Sequence, residues 1–123
     1  MAEDIRVGII GYDTSHAPAF ARLLNVPGER YHVPGARVVC GYPSFSSDID
    51  SSRSRVDGYR AELNSLGVSE VSSVYELLGG VDAVLLESVD GRRHLAEALP
   101  VLAAHRPVFI DKPLAADYTE ALE

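Results

Sequence analysis

Lysine is almost absent from this chain. Of its 11 basic residues ten are arginine, and Lys112 is the exception. Tryptophan is missing, and cysteine and methionine occur once each. These scarcities exclude whole classes of protein. A single cysteine permits no internal disulfide and suits a reducing compartment. Cys40 lies in the apolar run Val38-Val39-Cys40, which reads as a core thiol rather than a nucleophile. No apolar run approaches the roughly 20 residues that a membrane helix needs. The start, Met1-Ala2-Glu3-Asp4, is acidic and unlike a signal peptide, so a cytoplasmic location is expected. Positive charge is also short: 18 acids against 11 bases give a net charge of −7, with Arg92-Arg93 as the one basic cluster. Neither nucleic acid nor an anionic membrane is an expected partner.

What is present is a patterned α/β chain. A length of 123 residues at 46% hydrophobic suits one domain with one core. Apolar runs at Ile5–Ile10, Arg37–Gly41, Ala83–Glu87 and Val108–Ile110 read as strands, with a further short strand around Val71. Between them, apolar residues recur at helical spacing. Ala17, Phe20, Ala21 and Leu24 follow the cap candidates Thr14 and Ser15, with Pro18 in the first turn. Val56, Tyr59, Leu63 and Leu66 run to a stop at Gly67. Tyr75–Leu78 forms a brief helix. Leu95, Ala98, Leu99, Leu102 and Ala103 form a stripe that contains Pro100, where a kink is expected. Ala115–Leu122 closes the series. The segments 25–35 and 42–52 read as loops, the second serine-rich and mobile.

Continuous apolar strands alternating with helices imply a doubly wound parallel sheet, Rossmann-like, in the order 3-2-1-4-5. Ligands of such sheets bind at the carboxyl ends of the strands, at the switch point between strands one and four. Three polar junctions converge there: Gly11–His16, Glu87–His94 and Asp111–Pro113. Lys112 stands on that rim. A compact, titratable ammonium can serve there as a guanidinium cannot, although a surface lysine without a task reads equally well from spacing alone.

These junctions resemble the nucleotide-binding half of the Gfo/Idh/MocA oxidoreductases. The likeness rests on Val7-Gly8-Ile9-Ile10-Gly11, on Val81-Asp82-Ala83-Val84 through His94, and on Asp111-Lys112-Pro113-Leu114-Ala115, and it spans nearly the whole chain. The family usually carries Glu-Lys-Pro at the last segment, where Asp111 stands here. The resemblance implies an NAD- or NADP-dependent oxidoreductase acting on a sugar, polyol or related hydroxyl compound. Lys112 would be the catalytic residue, orienting the substrate hydroxyl or moving its proton. It also implies cofactor contacts from Gly11, Asp13, Thr14, Ser15, His16, Ser88, His94, Lys112 and Pro113, with the peptide before Pro113 often cis. Family members continue into a second α/β domain that supplies most of the substrate pocket, a catalytic histidine and the oligomer interface. Residues 1–123 would then be the Rossmann-like domain alone, inactive by itself and prone to self-association through the apolar surface its missing half would cover.

The residues also depart from a dinucleotide site. The glycine fingerprint reads Gly11, Asp13 and His16 at its three positions, so only the first glycine remains. A carboxylate at Asp13 facing pyrophosphate would cost roughly 4 kcal/mol at about 4 Å and an effective dielectric of about 20. Alternatively, Asp13 or Thr14 simply caps the helix, with His16 in its first turn. The end of the second strand, Gly41-Tyr42-Pro43-Ser44, lacks the acid that holds ribose hydroxyls. Asp48 and Asp50 could supply it only by folding back, and Arg53 and Arg55 are distant. Glu87 adds negative charge that Arg92 and Arg93 could offset, although a solvated arginine pair is the plainer reading. His32 and His105 read as structural. One Asp and one His are too few for a metal, so none is expected. A second reading therefore stands beside the first: a cofactor-free Rossmann-like module that binds another small ligand or serves assembly.

Overall fold

The apolar runs become the strands of one sheet. In the computed structural model, which describes residues 3–123, the strands are Ile5–Ile10 (β1), Ala36–Tyr42 (β2), Ser69–Glu70 (β3), Ala83–Leu86 (β4) and Val108–Ile110 (β5). They form one all-parallel sheet in the order β3-β2-β1-β4-β5, as the pattern implies. The helices are His16–Asn25 (α1), Asp50–Ser65 (α2), Val74–Leu78 (α3), His94–Ala103 (α4) and Tyr118–Leu122 (α5), with a 3-10 turn at Gly91–Arg93 leading into α4.

Successive β1 residues feed opposite sides of the sheet. Val7 and Ile9 pack with Ala17, Ala21, Val56 and Leu63 beneath α1 and α2. Ile10 packs with Cys40, Leu77, Val84, Ala98 and Val101 beneath α3 and α4. Cys40 is thus the buried core thiol its context implies. Burying side chains of this size contributes about 1.5–3 kcal/mol each, before chain entropy is set against it. No helix among the described residues is long and apolar enough to cross a membrane.

Local signals place most boundaries. Gly67 ends α2 with φ +84°. Asp117 caps α5 by accepting from the Glu120 amide (2.8 Å), so that helix begins later than the apolar pattern suggests. Pro100 lies inside α4, which continues to Ala103, and its carbonyl still accepts from the Ala104 amide (3.1 Å). Asn25 is the last residue of α1 rather than the first of a loop. Its side chain donates to the carbonyls of Val38 (2.9 Å) and Leu66 (3.1 Å) and accepts from the Val38 amide (2.8 Å), tying α1 to β2 and to the end of α2.

The largest departure is the serine-rich segment 42–52. It is a packed crossing rather than a solvated loop: α2 starts inside it, and Ser44, Ser46 and Ser52 are buried. Its backbone extends the β1–β2 pairing, with the Gly11 amide donating to the Tyr42 carbonyl and the Tyr12 amide to the Ser44 carbonyl, both at 3.0 Å. Serine carries little apolar surface, so its burial follows from partners that other segments supply.

Candidate functional site at the switch point

The sheet brings three polar junctions to one rim. The Glu87 amide donates to the Ile10 carbonyl (2.7 Å) and the Asp111 amide to the Leu86 carbonyl (2.9 Å). The ends of β1, β4 and β5 are therefore locked side by side. Gly11 makes the close approach possible. It sits at φ +99°, and a Cβ there would lie 2.3 Å from the Ser88 amide nitrogen. Gly91 serves the neighbouring turn, where a Cβ would meet the Ala115 backbone and Pro113 at 2.9 Å.

The β1–α1 junction keeps the expected helix cap, through Thr14 rather than Asp13. Asp13 is fully buried. Its carboxylate accepts from the Ser52 hydroxyl (2.6 Å) and the Val89 amide (3.2 Å), and so bridges α2 to the loop after β4. It neither caps α1 nor faces the cleft, because those donors lie inward. Thr14 is the capping side chain, with Oγ1 accepting from the His16 amide (3.2 Å). Ser15 occupies the N-cap position without a side-chain bond and is exposed.

A second buried network runs beside it. The Ser46 hydroxyl donates to Asp90 (2.6 Å), and Asp90 also accepts from the amide and guanidinium of Arg92. Arg92 reaches on to Asp48 (2.8 Å), and Arg93 donates to the Ser44 hydroxyl (3.0 Å). Asp48 thus folds back, as a ribose-binding acid would have to, but its partner is Arg92. The arginine pair is not simply solvated. Hydrogen bonds from Arg92, and then from the Ser46 hydroxyl, hold the Asp90 carboxyl far below the usual range, against the opposing effect of burial.

Ser88 and His94 also turn inward. The Ser88 hydroxyl donates to Glu97 (2.7 Å), and His94 Nε2 lies 2.5 Å from the Ser88 carbonyl. Both residues are buried. His94 also lines an apolar hollow of about 100 Å³ with Leu95, Ala98, Ile110 and Leu114. Its ring thus packs the helix start, with Nδ1 lacking a hydrogen-bond partner among the described residues.

The open part of the rim is formed by His16, Glu87, Asp111 and Lys112. His16 Nδ1 contacts Asp111 Oδ2, with the imidazole about half exposed. The Lys112 amide donates to the other Asp111 oxygen (2.8 Å), and the Lys112 side chain is exposed. The Lys112–Pro113 peptide is cis, as the resemblance implies. Burial opposes ionisation of Asp111, but His16, the Lys112 amide and the Lys112 charge outweigh it and hold the carboxyl below its ordinary range. Glu87 lies under this pair at 1% exposure, and neither carboxylate oxygen has a hydrogen-bond partner among the described residues. Burial, and then the Asp111 charge, push its carboxyl up to about 8. Sequence reasoning paired His16 with Asp13. The strand order pairs it with Asp111 and Glu87, the polar residues that end two adjacent strands.

These residues fit a dinucleotide unevenly. The pyrophosphate of such a cofactor needs free amides at the first helix start. Here the His16 amide is spent on Thr14, Pro18 offers none, and the Gly11 and Tyr12 amides are paired with the 42–44 backbone.

No family profile and no curated protein matches the sequence. Solved structures do. The myo-inositol dehydrogenase of Lactobacillus casei, solved with NAD(H) and myo-inositol, is 25% identical with a TM-score of 0.67, over 97% of this chain and 31% of that one. UDP-N-acetylglucosamine 3-dehydrogenase GnnA from Acidithiobacillus ferrooxidans is 19% identical with a TM-score of 0.66, over 97% and 33%. The WlbA dehydrogenase from Bordetella pertussis, solved with NADH and UDP-GlcNAcA, is 21% identical with a TM-score of 0.66, over 96% and 31%. This chain spans about a third of the length of each. These neighbours are Gfo/Idh/MocA-type dehydrogenases, and the fold of this chain fits their N-terminal Rossmann domain.

Proposed function

We propose that this chain is the nucleotide-binding-type domain of an NAD(P)-dependent oxidoreductase acting on a sugar, polyol or related hydroxyl compound. The observation that carries the reading is Lys112. It follows β5 at the carboxyl edge of the sheet, is exposed on the rim, and precedes a cis proline in the Asp-Lys-Pro segment. The fold of dehydrogenases that bind such cofactors covers nearly all of the chain. Bound there, NAD(P) would supply hydride chemistry. The work of Lys112 is to orient a substrate hydroxyl or carry its proton, and that of Asp111 is to hold the Lys112 backbone in place. Cofactor contacts are assigned to Gly11, Thr14, Ser15, His16 and Pro113, which border the rim. Asp13, Ser88 and His94 support it from behind.

The second reading, a cofactor-free module for another small ligand or for assembly, is favoured by one specific observation. The Gly11 and Tyr12 amides are paired with segment 42–44 and the His16 amide with Thr14, which leaves fewer amides at the first helix start for a pyrophosphate. Calorimetric titration with NAD⁺, NADH, NADP⁺ and NADPH separates the two. Saturable heat with any of them at or below millimolar concentration supports the oxidoreductase reading. Heat below detection for all four at millimolar ligand overturns it for this chain and leaves the cofactor-free reading.

A further inference from the structure

We propose that His16, Glu87 and Asp111 form a binding site for one divalent transition-metal ion, with Zn²⁺, Co²⁺ or Mn²⁺ as the fitting class. One ring nitrogen of His16, one Asp111 oxygen and one Glu87 oxygen all lie within 4.8 Å of one another. Residues from three separate junctions, at the start of α1 and at the ends of β4 and β5, supply them. The backbone bonds that lock Glu87 to Ile10 and Asp111 to Leu86 fix two of the three positions. The Lys112 amide takes Asp111 Oδ1 and leaves Oδ2 turned toward His16.

Glu87 is the independent sign of a ligand. Its side chain is buried, and both oxygens lack any donor among the described residues. A buried carboxylate without a partner is costly, and native structures retain such groups where something outside the protein satisfies them. Arg92 and Arg93, the nearest arginines in sequence, are bonded to Asp90, Asp48 and Ser44 instead. A metal ion that displaces the Glu87 proton meets two carboxylates and a neutral imidazole, a charge of −2 that a divalent ion neutralises. One nitrogen and two oxygens suit zinc, cobalt or manganese. Magnesium and calcium prefer all-oxygen sets.

Metal–ligand bonds of about 2.0–2.2 Å require the donor atoms to close to roughly 3–3.5 Å of one another. The exposed His16 ring and the Glu87 side-chain torsions can supply that movement without shifting the sheet. Three protein ligands leave at least one coordination position. An oxygen ligand can bind there. The site does not rest on the dinucleotide reading, and its test uses no nucleotide.

The test is equilibrium dialysis of chelator-stripped protein against Co²⁺, with elemental analysis and visible spectroscopy. The expected result is one Co²⁺ per chain with a ligand-field absorption band. Zn²⁺ should displace the Co²⁺, and an equal concentration of Mg²⁺ should not. His16→Ala and Glu87→Gln should each weaken binding at least about tenfold, while His32→Ala, remote from the cluster, should bind as the parent does. If Glu87→Gln does not fold, the surface variant His16→Ala and Asp111→Asn decide. Retention of Co²⁺ at or below the His16→Ala level by the unmodified chain overturns the proposal. So does undiminished binding by the folded His16→Ala chain, because the metal would then sit on unrelated surface acids.

Discussion

Asp13 shows how far a single residue's role depends on its surroundings. In the sequence it stands where a dinucleotide fingerprint has glycine, which invites either a cap or a clash with phosphate. The structure gives it partners 39 and 76 residues away, Ser52 and Val89. No local pattern encodes such distances, so the residue was visible as unusual and its task was not. Lys112 was legible for the opposite reason. Its rarity, the apolar run before it and the proline after it are all local. Glu87 falls between: its polar place at a strand end could be read, but its isolation from donors could not. The Asp13 network carries a prediction. Asp13→Ala removes a buried acceptor and strands two donors, one of them a hydroxyl with no water access. Hydrogen bonds to a charged group contribute about 1.5–3 kcal/mol each, so losing both is expected to cost about 3–6 kcal/mol in urea denaturation. A change below about 0.5 kcal/mol would show that Asp13 is not the bridge between α2 and the β4 loop.

At the scale of elements, the strands and most helices were legible because parallel strands leave an unbroken apolar run and helix packing leaves a stripe. Segment 42–52 was not. Its serines are hydrophilic in isolation and became interior only because Asp13 and Asp90 lie opposite them. This element is pinned by Asp90, whose folded-state carboxyl is held below its unfolded value of about 4. A depressed acid contributes stability that is complete above the unfolded value and is lost as pH falls through the folded one. The urea midpoint of the unmodified chain should therefore decline as pH drops below about 5. Other paired acids, including Asp82 and Glu70, decline with it. The diagnostic quantity is thus the difference from Asp90→Asn, which should be largest near pH 6 and should narrow steadily toward pH 2. A difference independent of pH would mean that the Asp90 charge does not hold the segment.

The whole molecule is lopsided. Toward β2 the sheet ends in β3, a two-residue strand, which leaves little edge to pair. Toward β5 the edge is open and the neighbouring surface is apolar. Leu99 and Leu102 of α4, Phe109 of β5, then Leu114, Tyr118 and Leu122 all lie about half exposed or more. Leu102 and Leu114 border the hollow that Ala98, Ile110 and Ala121 floor, so part of this surface is continuous. Apolar patches of this kind are uncommon on monomers that stay apart in water. The net charge of −7 opposes association only over distances shorter than about 10 Å at 0.1 M salt. The chain is therefore expected to self-associate, with an apparent mass in gel filtration that rises with concentration and rises further as salt screens the charge. Leu102→Glu and Leu114→Glu together add two like charges to the patch and should return the elution to that of a 13.3 kDa monomer. They should also leave the unfolding free energy from urea denaturation within about 0.5 kcal/mol, as surface changes do. Elution that is independent of concentration in the unmodified chain would show that this face is tolerated in water. Elution unchanged by the double substitution would place the contact elsewhere, with the open edge of β5 as the next surface to alter.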